Sequence, residues 1–208
     1  MKSSIRKVAV YDLETGGLKL DLHPITEIAI VIVDMEELEI VDEYSSMIKP
    51  YDDSLVYSEE ALNTTHMSID ELKNEGKESK EVVKEVSEFL KSHAIGNNKP
   101  LLAGHNIKAF DNDFLIKLFK DHKKDVTKFV NIEDCEDTLK LAHKRWPELP
   151  NYGLGTCANE LGLTLKEAHR ALPDTIANAK FLIKLYKALR GEGAKEVEYK
   201  RRKFKFQI

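Results

Sequence analysis

Apolar residues along this chain change their spacing partway through. Lys7 to Leu13 is a short β-rich apolar run, and ITEIAIVIVD, Ile25 to Asp34, is almost continuously apolar, the pattern of a central strand buried on both faces. Glu39 to Pro50 alternates polar and apolar positions and predicts a third strand, ended by Pro50. Short polar turns join the three, so an antiparallel meander is expected. The spacing then becomes helical. KEVVKEVSEFLKS places Val82, Val83, Val86, Phe89 and Leu90 on one face, and FDNDFLIKLFKDH does the same with Phe114, Leu115, Leu118 and Phe119. Between them lie the loop GNNKP and a short buried strand from Pro100 to Asn106. FVNIED predicts a fifth strand and TLKLAHKRW a helix; after the turn NYGLG, a short helix carries Cys157 to Leu161. A last helix runs from Asp174 to Leu189, with Pro173 suited to its first turn, and GEG from Gly191 to Gly193 ends it. Three strands, then helices alternating with two more strands, predict an α/β sandwich around a mixed five-stranded sheet flanked by helices.

Composition narrows the class. The 208 residues are 42% hydrophobic and 33% charged, as in a soluble globular protein, and no run approaches the roughly 18 apolar residues of a membrane helix. In MKSSIRKVAVYDLE the first apolar run meets Asp12 almost at once, so a signal peptide is not expected. Cys135 and Cys157 lie in no CxxC pattern and read as free thiols in a reducing compartment: the cytoplasm, or the nucleus of a eukaryote. A net charge of −4 gives no global pull toward nucleic acid, yet carboxylates that hold divalent metals would add negative charge to a site. Residues 191–208 form a basic tail beyond a domain spanning 1–190. In it Lys200, Arg201, Arg202, Lys203 and Lys205 interleave with Phe204 and Phe206. That pattern fits contact with nucleic acid, an edge or partner-docking strand, or a solvated tail.

Three segments offer chemistry. In YDLETGG, Asp12 and Glu14 stand two apart on a strand and project from one face, a costly arrangement unless a cation sits between them; a solvated edge or the start of a turn is the plainer reading. In GHNIKAFDNDFL, Asp111 opens a helix and competes with a simple N-cap role, and Asp113 is a second acid in the same stretch. In HRALPDT, Asp174 suits the positive end of a helix dipole, but helix-start chemistry has no need of His169 five residues earlier. Together, four carboxylates from three distant segments can hold two divalent cations about 3.5–4 Å apart, the arrangement used for in-line phosphoryl displacement. Oxygen ligands suit Mg²⁺ or Mn²⁺, the lack of a Cys/His cluster argues against zinc, and a neighbouring histidine can take a proton from water.

In this order, DLETGG, HNIKAFDNDFL and HRALPD resemble the three signature motifs of the DEDDh-type 3′→5′ exonucleases, the DnaQ-like family. ITEIAIVIVD, ALNTTHMS and YGLGTCANELGL resemble further family segments, so the resemblance extends over roughly residues 5 to 190. It implies a ribonuclease H-like fold and 3′-end hydrolysis with two Mg²⁺ or Mn²⁺ ions, releasing nucleoside 5′-monophosphates. It implies that Asp12, Glu14, Asp111 and Asp174 are the metal ligands, Asp111 rather than Asp113 matching the family pattern FDxxFL, with His169 as general base. Thr15, Leu18 and Asn106 match substrate-contact positions, although a turn residue and a core leucine describe Thr15 and Leu18 equally well. The expected partner is nucleic acid with a free 3′ end, single-stranded favoured. A polymerase or other protein partner and a homodimer are compatible with it, and a membrane is not. Three departures stand out: one extra residue between His105-Asn106 and Phe110, Gly16 where a second threonine is common, and Thr175 where alanine is usual. Two competing readings remain: a DnaQ-fold binding module that tethers a polymerase or another nucleic-acid-processing partner, and a ribonuclease H-like endonuclease.

Overall fold

β1 (Lys7–Thr15), β2 (Ile25–Asp34) and β3 (Glu39–Met47) form the antiparallel meander. β4 (Leu101–Gly104) and β5 (Asn131–Asp137) add on the other side of β1, parallel to it, giving the order β3-β2-β1-β4-β5. This computed structural model describes residues 7–163 and 169–190, so the basic tail expected over 191–208 lies outside the described residues. Seven helices complete the described part: α1 (Glu59–Thr65), α2 (Ile69–Glu75), α3 (Ser79–Ser92), α4 (Asp111–Asp121), α5 (Thr138–Arg145), α6 (Leu154–Glu160) and α7 (Ala171–Leu189).

The pleat of β1 divides the core. Ala9, Tyr11 and Leu13 face one layer, where α3 and α4 bury Val82, Val86, Phe89, Leu115 and Phe119. Val8 and Val10 face the opposite layer with Val31 and Val33 of β2, under Ala179, Leu182 and Ile183 of α7. Each fully buried side chain of this size contributes about 1.5–3 kcal/mol. By the same alternation, Asp12, Glu14 and Glu27 fall on the α7 side of the sheet. Cys135 and Cys157 are both buried and unpaired. Among the described residues, no helix is long and apolar enough to cross a membrane.

The structure moves several expected boundaries. Helices α1 and α2 are additions. Each is seven residues and largely exposed, so neither carries an apolar stripe, and their starts are set by Ser58 and Ser68, whose hydroxyls accept from the amides of Ala61 and Glu71. The fifth strand begins at Asn131 rather than at Phe129, because Val126–Lys128 form a 3₁₀ turn. Helix α6 starts at Leu154, earlier than the expected Cys157. Helix α7 starts at Ala171, three residues before Asp174, because the Ala171 amide finds an external acceptor in Glu27 Oε2 at 3.0 Å.

Candidate active site

Parallel strands β1, β4 and β5 end at one edge of the sheet, where open α/β folds bind their ligands. Gly104 at the end of β4 permits the close approach there: a Cβ would stand 2.8 Å from the Tyr11 carbonyl oxygen and 2.2 Å from Ile107 Cγ2. Into this corner β1 delivers Asp12 and Glu14, α4 delivers Asp111, and the first turn of α7 delivers Asp174. Carboxylate oxygens of Asp12, Glu14 and Asp174 lie within 4.8 Å of one another. Asp111 stands outside that triple but beside it: after burial, its negative charge is the largest influence raising the Asp12 carboxyl.

Asp111 is not an N-cap. It occupies the first helical position, the N-cap being Phe110, and is 5% exposed. Burial pushes it up to about 7, against backbone hydrogen bonds at Asp111 itself and Leu13 that pull it down. Burial also pushes Glu14 up to about 8, helped by the charges of Asp174, Glu27 and Asp111. Asp12 is raised well above the usual carboxylate range, and Asp174 is raised too, first by burial. Four acids that resist ionisation together would each be eased by a nearby cation.

Asp174 gives the most specific sign of one. Its Oδ2 accepts the His169 amide at 3.0 Å, while its Oδ1 is buried with no hydrogen-bond partner among the described residues. An orphaned carboxylate oxygen facing two more carboxylates fits a divalent cation, and the all-oxygen donor set fits Mg²⁺ or Mn²⁺. His169 is exposed and lies in the left-handed region at φ 68°.

Substrate-contact candidates lie around this centre. A cavity of about 260 Å³ opens next to Glu14, lined also by Thr15, Leu18, Ala61 and Phe110. Leu18 is 83% exposed, so the core-leucine reading is wrong: the side chain stands at the rim of the cavity. Thr15 serves its turn, donating to the Gly17 carbonyl at 2.8 Å, and lines the cavity as well. Asn106 is outside the cavity lining, exposed and at φ 65°, with its amide donating to Asp137 Oδ1 at 3.0 Å.

Two of the three departures have visible accommodations. A Cβ on Gly16 would stand 3.0 Å from Pro24 and 3.1 Å from the Tyr57 ring, so glycine lets residues 56–58 close against the end of β1. Thr175 is fully buried, but its hydroxyl donates to the Ala171 carbonyl at 2.6 Å.

Sequence reasoning missed Glu27, Arg170 and Asp137. Arg170 forms an ion pair with buried Glu27 at 3.1 Å. Asp137, 4% exposed, caps α5 through the Leu139 amide and holds the Asn106 loop. The available signal for Glu27 was a single acid inside the apolar run ITEIAIVIVD, since charged residues are almost never fully buried unless paired.

Comparisons with known proteins bear on the family and the fold. The RNase_T family, described as exonuclease, matches residues 9–182. A PolC-type DNA polymerase III of Bacillus cereus is 31% identical over 178 residues, covering 86% of this chain and 11% of the polymerase. The 3′-5′ exonuclease DinG of Staphylococcus aureus is 30% identical over 185 residues, covering 84% of this chain and 18% of DinG. The chain thus spans a small part of these relatives' length. Escherichia coli exonuclease I in complex with a dT13 oligonucleotide superposes with a TM-score of 0.74 at 19% identity, over 89% of this chain and 42% of that one. At that identity the likeness is one of fold, the ribonuclease H-like exonuclease fold.

Proposed function

The chain belongs to the RNase_T exonuclease family, and from that premise we propose that it is a metal-dependent 3′→5′ exonuclease. It hydrolyses the terminal phosphodiester of a nucleic acid and releases a nucleoside 5′-monophosphate. The observation that carries this reading is the convergence of Asp12, Glu14 and Asp174 within 4.8 Å, with Asp174 Oδ1 buried and unpaired among the described residues.

In this reading Asp12, Glu14, Asp111 and Asp174 would together hold the two divalent cations, Mg²⁺ or Mn²⁺. Bound there, the cations supply Lewis-acid charge beside the scissile phosphate and the departing oxygen. His169 acts as general base and takes a proton from the attacking water. As the new phosphorus–oxygen bond forms, the bond to the 3′ oxygen of the penultimate nucleotide breaks, and that oxygen takes a proton from solvent to leave as a fresh 3′ hydroxyl. Thr15 and Leu18, on the lining of the 260 Å³ cavity, receive the terminal nucleotide, and Phe110 offers its ring to the base. Asn106 contacts the strand from the adjoining loop.

Single-stranded DNA is the favoured substrate, because two of the exonuclease I neighbours are complexes with dT13 and dA16 oligonucleotides. The polymerase relatives support a role beside a polymerase supplied by another chain or another part of the same one. The test is a panel of 5′-labelled DNA and RNA oligonucleotides, single- and double-stranded, with Mg²⁺, Mn²⁺ or chelator. A ladder shrinking from the 3′ end only with metal is expected. Nicking of circular DNA would indicate an endonuclease, and binding without any cleavage would leave the tethering module.

A further inference from the structure

Beside the four proposed metal ligands stands a fifth carboxylate with another use. Glu27 on β2 faces Glu14 directly across the ladder, on the α7 side of the sheet. Its side chain is 8% exposed, and both oxygens are taken. Oε1 accepts from Arg170 Nη2 at 3.2 Å; Oε2 accepts from Arg170 Nε at 3.1 Å and from the Ala171 amide at 3.0 Å. All three donors belong to the two residues that follow His169. A guanidinium gripped at two nitrogens is fixed in orientation as well as in distance.

His169 needs such a fixing. Its φ of 68° lies in the left-handed region, which is uncommon for a non-glycine residue. On its helix side, its amide is tied to Asp174 Oδ2. On the next residue, the Arg170 fork ties the chain to β2. The loop carrying the imidazole is thereby pinned to the two elements, β2 and α7, that flank the carboxylate cluster.

We propose that Glu27 and Arg170 are a positioning pair for His169, fixing the backbone that carries its imidazole beside Asp174 without touching the reacting atoms themselves. The proposal rests on the reading of His169 as general base and extends it to the residues that aim it. Two other roles for Arg170 make different forecasts: a substrate-phosphate contact would act on KM, and a plain staple would act on stability alone.

The test is a double-mutant cycle on the full chain, with Arg170→Leu, His169→Ala and both together, assayed on a 5′-labelled single strand with Mn²⁺ well below the melting temperature. Arg170→Leu should lower kcat by about 10- to 100-fold, the scale of a misplacement near 1 Å, with KM changed less than about twofold. Arg170→Lys, which keeps the charge and loses the fork, should recover little. In the His169→Ala background the same change should cost less than about twofold, because a group that acts through the imidazole has nothing left to act on. A full additive loss in that background, or a KM effect at unchanged kcat, overturns the proposal. Full activity of His169→Ala alone would instead remove the base reading, which keeps the two failures apart. Should Arg170→Leu not fold, Glu27→Gln keeps an acceptor for the Ala171 amide and is expected to show the same pattern.

Discussion

One ladder, β1 against β2, ends in opposite ways. At one end Lys7 faces Asp34, and the two form an ion pair at 2.6 Å. Burial there works against the Asp34 carboxylate, but hydrogen bonds from Lys7 and the amides of Glu36 and Glu37 bring it below its ordinary range. At the other end Glu14 faces Glu27, acid against acid. Like charges directly opposite destabilise a sheet. Glu27 is neutralised by Arg170, whereas Glu14 shares its surroundings with Asp12 and Asp174 and is pushed up to about 8. The first end is built for stability. The second is left short of positive charge, the setting into which the proposed cations would fit.

The comparison can be broken most severely at the acidic end. Asp174→Ala should lower nuclease turnover by roughly 10³-fold or more in a single-turnover assay, while circular dichroism shows the fold intact. A variant that still digests at the wild-type rate would reduce the cluster to a surface accident. His169→Ala should cost about 10²- to 10⁴-fold in kcat, the usual range for a general base.

Protonation gives the two ends opposite signs. In the metal-free protein Glu14 holds its proton more tightly folded than unfolded, so stability falls as pH rises from its ordinary 4.5 through about 8. Asp34 is the reverse: its contribution is present above its ordinary 3.8 and is lost as pH falls through its lower folded value. Melting curves of the metal-free protein should therefore decline across the first window, and added Mn²⁺ should flatten that decline. A flat metal-free profile between those values would contradict the picture of uncompensated acids. The smallest effect belongs to Lys7→Met, which should cost about 1 kcal/mol or less by denaturant midpoint and leave nuclease activity unchanged.

Much of this division could be read from residues in order. The near-continuous apolar run of β2 marked a strand covered on both faces, and the helical spacing around Phe89 and Phe119 marked the layer that covers one of them. The spacing of Asp12 and Glu14 placed both on one face because a strand alternates, and the α7 side is the face they share with Val8 and Val10. What stayed hidden depends on contacts between distant segments. Glu27 and Arg170 are 143 positions apart, and nothing local to either marks the other as its partner. Helix α7 begins early for the same reason, since its first amide is satisfied by a strand rather than by its own side-chain cap. Helices α1 and α2 escaped because serine caps, rather than an apolar stripe, define them.

The two-residue pleat of β1 gives that strand a reading frame. Tyr11 and Leu13 point into the layer under α3 and α4, and Asp12 and Glu14 point out of it. One residue inserted between Val8 and Tyr11 would exchange the two sets, driving the acids into the α3–α4 core and the tyrosine toward α7. A residue added between Lys19 and Leu22, in the turn before β2, would leave every pair of the ladder where it is. Length is thus negotiable a few positions from the proposed catalytic centre and fixed within it.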